Sequence, residues 1–224
     1  MHIEPGIVHG AKMVLAYGTA AAAGGYTLKL IADDLKTTMG AATLPIRAAL
    51  ATIGTFAFFE LMPHFSVGIS EVHFILGTTL FLLLGAGAAA IGLVAGLLIQ
   101  GMFFAPSDMP MFFVNVTTLL VPLFAIDALA KQVLPQNKAY VDLRYSEVLK
   151  LSAAYQGGVV AWVAFWAFWG QGFGAETFVS VGAFGAAYML VVLIEPLADL
   201  AVLWVAKATR GGSRILTPRL YNAA

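Results

Sequence analysis

The chain opens Met1-His2-Ile3, and those residues carry three nitrogens able to take one metal ion together. A free α-amine, the deprotonated amide nitrogen of His2 and the Nδ1 of its imidazole close fused five- and six-membered chelate rings. A fourth nitrogen from a distant histidine completes a square plane. That geometry favours Ni(II) or Cu(II) and can be imposed on Co(II), but it does not suit Zn, Mg or Ca. Every donor must be unprotonated, so affinity should fall on acidification as the imidazoles, near about 6.5, and the amine, near about 8, take up protons. The first apolar stretch has no leader of Lys or Arg before it and no Ala-x-Ala site after a short apolar core. The N-terminus is therefore expected to be retained, and Met1 with it, because position 2 is large.

Four histidines compete for the remaining roles: His2, His9, His64 and His73. His9 follows His2 by two helical turns, about 10 Å along a continuous helix, which is too far to share a metal unless Pro5-Gly6 kinks the chain. His64 sits beside Pro63 at a loop edge and reads as an interfacial polar residue. His73 ends a glycine-containing loop able to dip into a bundle, and it is the choice for the fourth donor. Glu60 and Glu71 flank the same loop, where they can attract cations or orient an imidazole. Glu195 and Asp199, four residues apart on one helix face, mark a partner contact or an internal salt bridge. The absence of cysteine removes thiolate sites. Without HExxH or GxxxxGK[ST], neither a zinc hydrolase nor a P-loop ATPase is expected in this chain.

The elements that position these residues lie in lipid. Of the 224 residues, 60% are hydrophobic and only 11% charged, far more apolar surface than a soluble core of this length could hide. Seven apolar stretches follow one another: Ile7–Leu35, Leu44–Met62, His73–Leu84, Ala88–Phe104, Met111–Leu134, Val148–Trp169 and Phe178–Val205. The fold class is an all-α integral membrane protein of about seven transmembrane helices, multi-pass in the cell membrane. The third stretch is too short for a straight span and is expected to begin as an indented loop. Residues 1–206 form a single membrane domain, and residues 207–224 a basic cytoplasmic tail. Eleven of the twelve basic residues fall at or near the connections after helices one, five and seven, Lys12 being the exception. The positive-inside rule then puts the N-terminus outside and the C-terminus in the cytoplasm, with Lys12 snorkelling to the outer interface. The aromatic run Trp162–Trp169 fits an interfacial belt. Glycine and alanine crowd Gly18–Gly25 and Gly85–Ala90, which allows close helix packing.

Four features resemble the CbiM/NikM family, the substrate-binding components of energy-coupling-factor transporters for cobalt and nickel. They are Met1-His2-Ile3 with a following acid and Gly6; Ser70-Glu71-Val72-His73-Phe74-Ile75-Leu76-Gly77; Gln100-Gly101-Met102-Phe103-Phe104; and Asn115 with its apolar helix. The resemblance implies seven membrane helices with the N-terminus outside. It also implies Co(II) or Ni(II) held by the Met1 amine, the His2 amide and imidazole, and His73, with Glu71, Gln100 and Asn115 near that site. The ion is cargo, and no catalytic cofactor or nucleic acid is implied. Partner chains are a membrane coupling subunit, P-loop ATPase subunits and a small accessory membrane subunit. The family loop usually reads Ser-Gly-His, so Glu71-Val72 is a departure that adds a carboxylate, and Thr118 stands where an asparagine is frequent. Three rivals have a different chemistry. One is a component of the same type for an organic solute, and another is an intramembrane metalloenzyme built on His64, His73, Glu60 and Glu71. The last is a purely structural membrane protein that binds no small ligand.

Overall fold

A computed structural model describes residues 2–37, 40–133, 138–209 and 215–221. Met1, Arg210 and Arg214 lie outside the described residues, as do the ends of the tail. Among the described residues seven α-helices follow in order: α1 (Met13–Leu35), α2 (Gly40–Glu60), α3 (Gly77–Leu84), α4 (Ala86–Phe103), α5 (Phe112–Val133), α6 (Tyr145–Gln171) and α7 (Ala175–Thr209). Among the described residues five segments are long and apolar enough to cross a membrane: α2, α4, α5 with its preceding turn, α6 and α7. α1 has the length, with 23 residues, but its glycines, threonines and Lys29 dilute its apolar character. α3 has only eight residues. The chain is a multi-pass helical membrane protein.

One element lies outside the helical expectation. The connection after α2 contains a hairpin of β1 (Phe65–Val67) and β2 (Ser70–Val72), paired antiparallel with Val67 opposite Ser70. Gly68, at φ +63°, takes the left-handed backbone that the turn demands. Residues 2–4 add a third, antiparallel line beside β2. Glu71 N–H donates to His2 O at 2.8 Å, and Glu4 N–H donates to Ile69 O at 3.0 Å.

The third apolar stretch is helical only from Gly77, because His73–Leu76 remain an irregular loop. Such a short buried helix needs its terminal backbone groups satisfied from elsewhere in the bundle. At its C-terminal end, Leu83 O accepts Thr217 N–H at 2.8 Å and Leu84 O accepts Arg47 Nη1–H at 2.7 Å. Residues 215–221 thus fold back onto the bundle, with Leu220 buried.

Small residues set the closest helix contact. A Cβ added to Gly92 would stand 2.2 Å from Ala51 Cβ, and one on Gly96 would stand 2.7 Å from Thr55. α2 and α4 therefore touch nearly backbone to backbone, as membrane helices with spaced glycines do. Lys12 does more than snorkel: its Nζ donates to Gly170 O at 2.7 Å, satisfying a carbonyl in the last turn of α6. The aromatic run also divides. Trp169 is exposed, whereas Trp166 is fully buried, and Thr117 Oγ1 accepts the indole N–H of both Trp162 and Trp166.

Candidate metal centre

Two backbone constraints bring the histidines together. The strand-like pairing of residues 2–4 with β2 fixes His2, and Ser70 Oγ adds a hydrogen bond to His2 O at 2.9 Å. One residue on, Ile3 N–H donates to Asn115 Oδ1 at 2.8 Å, tying the segment to the first turn of α5. His73 leaves β2 immediately after Val72, so the same hairpin that holds His2 also carries its partner. Their ring centroids are 5.2 Å apart. Both side chains are almost completely buried, at 3% and 1% exposure. Phe59 walls them off, edge-on to His2 at 5.8 Å and tilted against His73 at 4.6 Å.

His2, Glu71 and His73 offer one donor atom each, all within 4.8 Å of one another. Spacing of that kind fits a single transition-metal ion bound by nitrogen and oxygen. Nδ1 of His2 lies 2.8 Å from Glu71 Oε2 and 4.0 Å from Asp108 Oδ2. His2 Nε2 is buried and meets no hydrogen-bond partner among the described residues. Nδ1 of His73 lies 3.3 Å from Phe74 O, a contact that fixes a tautomer with the lone pair on Nε2.

Burial, chiefly, holds the His2 imidazole below its ordinary pKa, and the Glu71 hydrogen bond pulls the other way. Hydrogen bonding to His2, in turn, keeps the Glu71 carboxyl below its usual range. Both shifts ease the loss of protons from these two groups, as binding of a divalent cation requires.

The residues expected from sequence are placed as follows. His2, Glu71 and His73 form one cluster, and Asn115 holds the adjacent backbone. Gln100 is buried, with its Nε2 at 3.4 Å from Glu60 Oε2. Met1 lies outside the described residues. His9 and His64 are exposed, and Nδ1 of His64 sits 3.1 Å from Met62 O. Asp108 and Phe59 were not singled out from the sequence. Asp108 lies in a 3₁₀ turn, Pro106–Met111, and its signal was an acid in the connector facing the same side as the histidines.

Asn115→Leu should strand the buried Ile3 N–H, at a cost of about 1–3 kcal/mol. With the backbone beside His2 loosened, Co(II) affinity is expected to fall about tenfold, the lower end of what outer partners of ligands contribute. Isothermal titration of the purified variant measures it.

The whole described bundle, from the buried imidazole at position 2 to the end of α7, corresponds to one family. Residues 2–211 match CbiM, the cobalt uptake substrate-specific transmembrane region. No curated protein and no solved structure matches the chain significantly. With a match spanning nearly its full length, the chain belongs to the CbiM family, as a multi-pass transmembrane component of cobalt uptake.

Proposed function

We propose that this protein captures Co(II), with Ni(II) as the alternative cargo, at the extracytoplasmic face of the membrane for ATP-driven uptake. The observation that carries the reading is the convergence of buried His2 and His73 with half-buried Glu71 within 4.8 Å. The ligands are the α-amine of Met1, the amide nitrogen and Nδ1 of His2, and an imidazole nitrogen of His73. Glu71, Gln100 and Asn115 support them. The chain crosses the bilayer seven times, counting α1 and the short α3 with its loop. The N-terminus is outside, and residues 207–224 are on the cytoplasmic side of a membrane domain over 1–206.

Because the chain has no GxxxxGK[ST] motif, hydrolysis falls to P-loop ATPase partners, joined through a membrane coupling subunit and aided by a small accessory membrane subunit. The protein is thus a transport component and no enzyme. The metalloenzyme reading needs His64, which is exposed, sits against Met62 O and does not join the His2, Glu71 and His73 group.

Purified protein titrated with Ni(II) should give the yellow, diamagnetic spectrum of a four-nitrogen plane, and Co(II) or Ni(II) should raise its unfolding temperature. A green octahedral spectrum would remove the square plane. No binding and no heat protection by either ion would favour a component for an organic solute.

A further inference from the structure

The loop that carries His73 is held from inside the membrane by a carboxylate that the metal site does not itself use. Glu195, on α7, is 1% exposed. Ile75 N–H donates to its Oε1, and Gln156 Nε2–H donates to its Oε2. Tyr188 O–H donates to Gln156 Oε1 at 2.6 Å, which orients the amide. Four residues further along α7, Asp199 Oδ1 accepts Thr79 Oγ1–H at 2.5 Å. One face of α7 thus grips both the loop and the first turn of α3, in matching steps of four residues.

The loop needs that grip for two reasons. Leu76 takes φ +53°, the left-handed region that a branched side chain seldom enters. It also stands at the N-cap of α3 without a side-chain cap of its own. The Ile75 N–H would otherwise be stranded in the bilayer interior, where it must find a protein acceptor. Salt-bridge pairing does not explain Glu195, since no cation pairs with it among the described residues.

We propose that Glu195 is a positioning residue for metal capture: by fixing the Ile75 amide it sets the turn that aims His73 at His2. This inference rests on the metal-capture reading above. Asp199 holds the following turn, and Gln156 with Tyr188 locks the Glu195 rotamer.

A double-mutant cycle read by Ni(II) calorimetry tests it, because residues acting through one another are non-additive. Glu195→Ala should bind at least tenfold more weakly. In the background of His73→Ala, the same change should alter affinity by less than about twofold, and Glu195→Gln, which keeps an oxygen toward Ile75, should stay within about threefold of wild type. Should Glu195→Ala not be recovered from the membrane, Glu195→Asp, which withdraws the oxygen by one methylene, is read in the same cycle. A lowered unfolding temperature with unchanged Ni(II) affinity, or a loss that adds fully to that of His73→Ala, would overturn the role while leaving the metal site intact. A wild-type chain that takes neither Co(II) nor Ni(II) would sink the metal reading, and this role with it.

Discussion

His73→Ala is expected to weaken Co(II) or Ni(II) binding by at least about a hundredfold, roughly 2.7 kcal/mol. The size follows from what the imidazole does. In the proposed site it is the one nitrogen donor from a different part of the chain, so without it the N-terminal chelate would close on the metal with no counterpart across the plane. The ring is buried at 1% exposure and packed on Phe59, so water can replace it only by entering an apolar pocket. His9→Ala and His64→Ala, both at exposed positions, should bind as wild type, which separates a ligand from general loss of imidazole. Acetylation of the N-terminus takes the α-amine lone pair out of chelation and should cost a comparable factor. Unchanged affinity in either His73→Ala or the acetylated chain, measured by calorimetry, would refute the corresponding donor. The visible spectrum supplies a second reading, because the loss of one nitrogen shifts the Ni(II) band even where affinity is partly rescued by buffer.

What could be read from the sequence was what depends on residue type and short spacing. Met1-His2 offers its nitrogens at chelating spacing by covalent geometry alone, and the long apolar stretches become helices because each is long enough to satisfy its own backbone in lipid. The β1–β2 hairpin left no such trace, since three-residue strands are too short for alternation to register. Nor could spacing reveal that Asn115 accepts Ile3 N–H, a bond across more than a hundred residues. Glu195 and Asp199 read as a salt bridge or a partner contact because carboxylates in a membrane helix need a compensating group. The group turned out to be neutral: a backbone amide, a glutamine and a hydroxyl. Glu71 read as an outer acid, and its carboxylate stands against His2 Nδ1 because β2 lines up directly with residues 2–4.

Arg47 shows the same limit most clearly, and it gives the largest expected effect on stability. From sequence it is one more basic residue near the connection after the first helix. In the fold it is completely buried, and its guanidinium makes two bonds to Asp34, Nη1 to Oδ2 at 2.9 Å and Nη2 to Oδ1 at 2.7 Å. Nε donates to Thr43 Oγ1 at 3.2 Å, and Nη1 also serves Leu84 O at the end of α3. A fork of this kind fits a carboxylate better than any ammonium could. Arg47→Leu leaves a half-buried carboxylate and an orphaned α3 carbonyl together, and breaking a buried pair from one side costs about 3–5 kcal/mol. For a chain of this size that corresponds to a fall of about 10 °C in unfolding temperature. Asp34→Asn should cost less, because the amide oxygen still accepts one guanidinium bond. Arg47→Lys should recover only part of the loss, since one ammonium cannot span Asp34, Thr43 and Leu84 O together. Equal unfolding temperatures for wild type and Arg47→Leu, recorded in the same detergent without added metal, would mean that this buried fork is not what fastens α1, α2 and α3 at that end of the bundle.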